Sequence, residues 1–570
     1  MREHSTDILI LGSGGAGLFA ALHAHKANPD LSITVAVKGL LGKCGCTRMV
    51  QGGYNVALAK EDSVERHFMD TIEGGKWLPD QDLAWKLVTL AVERIRELEN
   101  ELGCFFDRNP DGSVHQKAFA GQTFDRTVHK GDLTGIEIIS RLAEQVWARR
   151  IARLEEHRAV ELIRAKDGSG IAGVLFIDMR TGEYALVRAK AVLLATGGGP
   201  TMYKYHTPSG DKSCDGLAMA LRAGLALRDM EMVQFHPTGL LAGTHTRMTG
   251  TVLEEGLRGA GGYLLNGAKE RFMPKYDPKA ERATRDFVSR AMYSEMRKGA
   301  LSPNGGLYIS MSHLNQEQVR KQFRGMVERC ADCGFDLAGG LVEVVPTAHY
   351  MMGGVEFGLD CSTALPGLYV AGEDAGGVHG ANRLGGNGVA NSTVFGAVAG
   401  DVMAGWVRGQ ALREPDPAAV DEACQACEPR VAPSHGALEP LRDRLYETMW
   451  QKVGIIRDAA GLRSALDDLG SIERELVAAG IPDANRAFNL TWHDWLNLKS
   501  LVQVSRVIAE AALARTDSRG AHYREDFPEA GPLEKSAFTS VRLDGSKLDI
   551  STKPVFFTRV RPGQSLLQSA

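Results

Sequence analysis

Asp7 to Gly17 reads DILILGSGGAG. Its glycine spacing, more than any reactive side chain, offers chemistry: a cradle for a pyrophosphate. Gly12, Gly14 and Gly17 stand in GxGxxG spacing with Ser13, Gly15 and Ala16 between them. The first glycine makes a tight turn, the second admits backbone close to a phosphate, and the third lets helix and strand pack closely. Apolar residues before the turn predict a strand, and Leu18-Phe19-Ala20-Ala21-Leu22 after it predict a helix, so the anion falls on free amides at a helix N-terminus. The second strand, SITVAV from Ser32 to Val37, ends at Lys38, where an NAD site offers Asp or Glu to the ribose. That argues against NAD and leaves FAD open. A second apolar run breaks into glycine at Val192 to Gly199, VLLATGGG, which predicts a cofactor embedded in a sheet that the chain leaves and re-enters.

The rest of the chain must build that sheet. At 570 residues it is too long for one core and predicts roughly two to four domains. Net charge is -4 with both signs interspersed, which excludes a nucleic-acid or anionic-membrane footprint. No apolar run approaches the ~18 residues that span a bilayer, and MREHSTD enters the first strand without a signal-peptide core. Nine cysteines in this length read as cytosolic thiols, not as a disulfide framework. Cys330-Ala-Asp-Cys333 and Cys424-Gln-Ala-Cys427 are both CxxC, but they lie far apart in sequence, so no metal site is expected.

In order, GLLGKCGCTRMVQGGYNVAL after Lys38 is loop-like, Glu61 to Leu102 is helical, Ala118 to Gly135 is loop and Ile136 to Arg153 is helix. Val160 to Arg164, Gly173 to Asp178 and Tyr184 to Arg188 predict an antiparallel meander. Asp215 to Leu227 reads as helix, and mixed composition to about Pro346 suggests an inserted domain. Gly367 to Glu373 restores the strand-then-glycine pattern. A helical region follows to about Ala514, and Val541 to Arg561 alternates like short strands.

With these residues read, the chain resembles the flavoprotein subunit family of succinate dehydrogenase and fumarate reductase, which includes L-aspartate oxidase. The resemblance runs from Asp7 to about Glu529, carried by motifs in the family's order: GSGGAG, QGG at Gln51, ATGG at Ala195, QFHPTG at Gln234, EGLRGAGGYLL at Glu255 and RDFVSRAM at Arg285. HYMMGG at His349, GLYVAGE at Gly367, HGANRLGGN at His379 and SRGAHYREDFPE at Ser518 complete the series. It implies an α/β protein: a two-part Rossmann-like FAD-binding domain (1–236 and 351–410), an inserted α+β capping domain (237–350), a C-terminal helical domain (411–530) and a small C-terminal region (531–570).

The implied reaction interconverts a saturated dicarboxylate and its α,β-unsaturated form, with hydride through flavin N5 and a proton from the protein. It needs a cationic clamp and an aimed proton donor. His236, His349 and Arg383 match the clamp, Phe119 an apolar contact with the substrate, Arg290 the proton donor, and Glu255 with Arg258 its relay to solvent. On spacing alone Arg290 could equally pair with Asp286 one helical turn away. Beyond the glycine turn, the resemblance extends the FAD site to Lys38, Cys46, Thr47, Gln51, Gly52, Gly53, Ala195, Thr196, Gly197, Asp215, Glu373, Arg383 and Asn387.

Three departures bear on function. Cys46 stands where respiratory members carry the histidine that bonds FAD, so a non-covalent cofactor is expected. Glu254 replaces the threonine that meets a substrate carboxylate, with Thr251 as the alternative match, and the Leu240 to Leu253 loop is longer than the family's. Glu254 opens the way to a substituted dicarboxylate. Gly388 replaces a serine near the flavin. The competing readings are an L-aspartate oxidase type of amino acid oxidase and a flavin-carrying subunit without a substrate site. The implied partners are a small dicarboxylate and either an iron-sulfur subunit or a soluble electron donor or acceptor. Neither nucleic acid nor direct membrane insertion is expected, and the location is cytoplasmic, with any membrane contact made through a partner at its inner face.

Overall fold

The computed structural model describes residues 1–244, 246–431 and 438–567. Its largest sheet is built around the first strand, Arg2–Leu11, which pairs in parallel with Ile33–Ala36 on one side and with Tyr184–Leu194 on the other. The meander and the VLLATGGG run, distinct patterns in the sequence, are continuous in space. Tyr184–Leu194 pairs antiparallel with Ile171–Asp178 through its first half and parallel with Leu368–Val370 at its end. Both glycine-ended runs therefore finish at the same edge. The chain re-enters at Leu368–Val370 after an excursion of more than a hundred residues, the arrangement expected of the α/β class.

The Gly15–Ala27 helix lies against this sheet because Gly17 has no side chain: a Cβ there would fall 2.0 Å from the Gly12 carbonyl oxygen. Gly12 itself has φ 109°, and a Cβ would fall 2.2 Å from the Ala195 carbonyl oxygen, so the two glycine turns interlock. The Asn387–Trp406 helix crosses the Gly15–Ala27 helix closely. Gly396 and Gly400 sit over the carbonyls of Ala16 and Ala20, where Cβ atoms would come within 2.6 and 2.4 Å.

A second sheet carries Val233–Leu240, Leu341–Met351, Leu307–Ser310 and Tyr263–Leu265, all antiparallel. The Arg285–Arg297 helix packs against Val233–Leu240, with the Ser289 hydroxyl donating 3.0 Å to the Phe235 carbonyl. The helices Leu438–Lys452, Ala459–Ala479 and Leu490–Ala514 form a bundle. A hairpin, Ala537–Asp544 with Lys547–Pro554, joins Leu227–Arg228.

Several predicted helices are shorter, for identifiable reasons. Glu61 to Leu102 is two helices, Val64–Gly74 and Gln81–Asn100. Lys76 and Trp77 between them take φ of 59° and 60°, and Asp80 caps the second by accepting from the Asp82 and Leu83 amides. The helix predicted to Arg153 ends at Trp147, and Ala152–Leu154 is an edge strand. The helix from Asp215 ends at Arg222, because Gly224 at φ 83° turns the chain into Leu227–Arg228.

Candidate active site

Three elements bring the chemistry together. His236 lies on Val233–Leu240 opposite Thr347, and His349 follows two residues later on the paired strand, which leaves the two rings 5.4 Å apart. The Leu253 amide donates to the Thr238 carbonyl at 2.9 Å, which fixes Glu254 and Glu255 beside that strand at the head of the short Gly256–Gly259 helix. Arg383 sits on the 379–387 loop, braced from behind: the Ala381 amide donates to the Gly75 carbonyl and accepts, through its own carbonyl, the Ala521 amide.

These groups line one cavity of about 560 Å³. Its wall holds His236, Glu254, Glu255, Arg285, His349, Tyr350 and Arg383 at one end, with Phe119 seated against Gly52. Gly14, Gly15, Ala16, Cys46, Thr47, Gln51, Gly53, Ala195, Thr196, Gly197 and Glu373 line the rest. A narrower space continues past Gly12, Ser13, Lys38, Asp215 and Lys212. Gly14, Thr196, Gly197 and Lys212 border both. The glycine end fits a dinucleotide: Cβ atoms at Gly12 and Gly15 would collide with backbone or with Ser392, and the buried Ser13 hydroxyl has no partner among the described residues. One helix N-terminal amide, that of Gly15, already donates to the Thr47 hydroxyl at 3.0 Å. Lys38 is spent on Asp215 and Ser213, both at 3.0 Å.

At the other end one carboxylate organises the cations. Glu255, 3% exposed, accepts from Arg285 Nε at 3.0 Å and Nη2 at 2.7 Å on one oxygen, and from Arg258 Nη2 at 3.0 Å on the other. Burial works against its charge, but Arg285 and Arg258 outweigh it and hold the carboxyl below its usual range. Gln234 links the two cavity arginines, accepting on Oε1 from Arg285 Nη1 at 3.2 Å and Arg383 Nη2 at 3.1 Å. Arg383 is stacked 4.4 Å over Tyr350 and pushed down to about 10 by burial and by Arg285. Burial, with Arg285 and other cations nearby, keeps His236 and His349 well below the ordinary imidazole value. The positive groups bordering this end of the cavity are therefore Arg285 and Arg383, and the imidazoles are neutral.

Arg290 is a correction. It lies in a separate cleft with Phe287 and Tyr523, its guanidinium 5.3 and 4.8 Å from their rings, and among the described residues it donates to the Gly520 carbonyl alone, at 3.4 Å. Nor does it pair with Asp286, whose Oδ1 is buried without a partner. The reason is helical geometry: five residues beyond Arg285 is about 140° around the axis at ~100° per residue, so the two side chains leave different faces. Asn387 also stays out of the cavity. Its amide is consumed by Asn55, His67 and Thr71 at 2.9, 3.0 and 3.1 Å. Arg258 stands behind Glu255 and Gly17 serves packing, so neither borders the cavity.

Arg285, Lys212 and Tyr350 are cavity residues that the sequence motifs do not single out. RDFVSRAM offers two arginines, and only the fold shows which one meets Glu255. Lys212 lies in a polar stretch, Asp211 to Asp215, with no signal beyond its charge. Its ammonium donates to the Thr196 carbonyl at 2.7 Å, where the two cavities join.

The comparisons agree with this geometry. Residues 7–389 match the FAD binding domain family and residues 442–566 the fumarate reductase flavoprotein C-terminal family. A fumarate reductase (CoM/CoB) chain of Methanothermobacter marburgensis is 40% identical, over 93% of this chain and 96% of that protein. The fumarate reductase flavoprotein subunit of Escherichia coli is 34% identical, over 97% and 96% respectively. A solved variant of E. coli quinol fumarate reductase superposes with a TM-score of 0.92 at 31% identity, covering 99% of both chains. An FAD cradle at one end of a cavity and arginines around a carboxylate at the other are thus accounted for together: the chain belongs to the fumarate reductase and succinate dehydrogenase flavoprotein subunit family and is an FAD-dependent oxidoreductase acting on CH–CH groups.

Proposed function

We propose that this protein reduces the double bond of a fumarate-class dicarboxylate, with Arg285 as proton donor. The observation that carries this reading is the Glu255 carboxylate shared between Arg285 at the cavity wall and Arg258 behind it. Arg285 and Arg383 hold substrate carboxylate charge. His236 accepts the Thr238 amide on Nδ1 at 3.3 Å, so its proton sits on Nε2, available for donation. Phe119 offers an apolar wall, seated against Gly52 and Gly385, where a Cβ would come within 2.3 and 2.6 Å of its ring. Bound FAD supplies the hydride at its flavin ring.

A guanidinium that gives up a proton must regain it at once, because its neutral form is so unfavourable. Glu255 bonds two nitrogens of Arg285, and Arg258 on its other oxygen continues the path outward, which makes these two the return route. Oxidation of reduced viologen by fumarate, and reduction of a dye by succinate, test the reading. Absence of turnover with both overturns it, and peroxide formed from L-aspartate in air would replace it with an oxidase. Electrons reach the flavin from an iron-sulfur subunit or a soluble donor. Such a partner would also supply any membrane contact, since no described helix is long and apolar enough to cross a bilayer.

The FAD is held without a covalent bond. Cys46 borders the cavity, but burial and the nearby Glu373 push its thiol up to about 12, so it is not a nucleophile at neutral pH. Lys212 gives the junction of the two cavities a positive charge opposite the helix N-terminus and steadies the pyrophosphate there. Acid precipitation is expected to leave the flavin in the supernatant. Lys212→Met is expected to weaken FAD binding roughly tenfold to a hundredfold, as loss of one charge-assisted hydrogen bond implies, with Lys212→Arg close to wild type. Fluorescence of FAD released on dilution measures both, and unchanged release from Lys212→Met would remove the lysine from this role.

A further inference from the structure

We propose that Glu254 meets one carboxylate of the substrate as a carboxylic acid, so that the enzyme takes up a proton when a dicarboxylate binds. The inference rests on the dicarboxylate reading above and adds a proton-coupled specificity residue to it. Glu254 is 5% exposed and borders the same cavity as Arg285 and Arg383. Its side chain is folded back over Gly256, where a Cβ would fall 2.6 Å from Oε1, and the Phe323 ring closes the other side of that glycine. The carboxyl therefore lies buried at the wall, packed against Gly256.

Its neighbours do not neutralise it well. Lys117 is its hydrogen-bonding partner, with Nζ at 3.4 Å from both oxygens, longer than either bond from Arg285 to Glu255. Asp132, preceding the Thr134–Trp147 helix, and the adjacent Glu255 add negative charge. Arg329, from the Arg324–Asp332 helix, borders the cavity but gives Nη1 to the Val252 carbonyl at 3.1 Å. His129, near Lys117, is depressed to about 4 by burial and by that ammonium, so it contributes no charge. Burial already raises the Glu254 carboxyl above its usual range, with Lys117 opposing.

Arg285, Arg258 and Arg383 exceed Glu255 by two positive charges, which a bound dianion uses up. None of that surplus is left for Glu254, whose own cation, Lys117, stands 3.4 Å away, once a substrate carboxylate lies against it. Two carboxylates in hydrogen-bond contact cannot both stay ionised, so one proton enters from solvent, sits on Glu254, and is donated as O–H to the substrate oxygen. It returns to solvent when the product leaves.

The test uses oxidised holoenzyme and malonate, a dicarboxylate without a reducible double bond, read by the flavin spectrum from about pH 6 to about pH 9. Wild-type affinity is expected to fall about tenfold per pH unit once Glu254 ionises in the free enzyme, with close to one proton taken up per malonate in weak buffer. E254Q, which keeps a hydrogen-bond donor without the charge, is expected to bind with affinity flat in pH and about tenfold tighter than wild type at the alkaline end. K117M provides a second check: the fall should begin at higher pH. A wild-type affinity flat in pH, or weaker binding by E254Q, overturns the proposal while leaving fumarate reduction intact. No malonate response and no fumarate turnover at any pH overturns the dicarboxylate reading itself.

Discussion

Arg285→Ala is expected to lower fumarate reduction by about three to four orders of magnitude, the range for losing a positioned proton donor together with charge stabilisation, while Arg290→Ala stays within about threefold of wild type. The contrast is the sharpest available because both arginines belong to one helix, Arg285–Arg297, so a general effect on that helix would touch both. Arg285 has three hydrogen bonds inside the cavity wall, two to Glu255 and one to Gln234. Removing it frees Glu255 to repel an incoming carboxylate, so KM should rise as kcat falls. Arg285→Lys keeps a charge but not the fork that holds Glu255 and Gln234 at once, and about a hundredfold loss is expected. Arg290 offers only its stacking on Phe287 and Tyr523 and one long bond, worth about 1 kcal/mol of stability. Reduced-viologen kinetics on the variants decide the matter. Full activity in Arg285→Ala with loss in Arg290→Ala would move the proton donor to the outer cleft.

The two arginines also show what a sequence can and cannot disclose. The Gly12 to Gly17 turn is legible because its chemistry is local: a strand, a left-handed glycine and a close helix contact are all specified within eleven residues. The choice between Arg285 and Arg290 is not local. It depends on which face of a thirteen-residue helix meets Glu255, thirty residues earlier in the chain. The same limit applies to Asn387. The family resemblance assigns it to the cofactor, yet long-range partners at Asn55, His67 and Thr71 claim its amide. Lys76 and Trp77 break a helix by left-handed backbone that apolar periodicity cannot register, although Gly74, Gly75 and Pro79 around them are breaker residues in plain view.

SRGAHYREDFPE, a family motif with no role legible in its residue types, braces the site from a distance. Gly520 stands against the Ala381 carbonyl, where a Cβ would come within 2.3 Å, two residues before Arg383. His522 Nδ1 accepts from Arg457 Nη1 at 2.7 Å, and Arg457 also donates to the Glu231 carbonyl at 2.9 Å, just ahead of the strand that carries His236. Arg515 holds the side chains of Asp229 and Glu231. The helical region thus braces both the loop that carries Arg383 and the strand that carries His236, and the motif's Arg519 and Arg524 are buried in that brace, away from the described cavity lining.

The same buried polar architecture makes the fold sensitive to acid. His67 and His493 are depressed to about 3 and His129 to about 4, and His236, His349, His379 and His522 lie well below the ordinary value, with burial the first cause for all seven. The unfolded chain takes up protons at these imidazoles below about pH 6.5 while the folded chain does not, so stability rises with pH and falls on acidification through that value. These contributions add in one direction as the pH falls below about 6.5. His23 acts in the opposite sense. Asp401 and Glu97 outweigh burial and raise it, so its contribution is present below the unfolded value and lost at higher pH. The buried carboxyls of Asp229, Glu254, Glu373 and Asp374, raised by burial, act in the same sense as His23, but they are fewer than the seven imidazoles. Urea unfolding followed by circular dichroism is therefore expected to show a steep loss of stability between about pH 6.5 and pH 5.5 with uptake of several protons. Unchanged midpoints across that interval would contradict it. His493→Leu isolates one contribution: both ring nitrogens are buried without partners, so a leucine there should reduce the pH slope by about one proton and leave neutral-pH stability equal or higher.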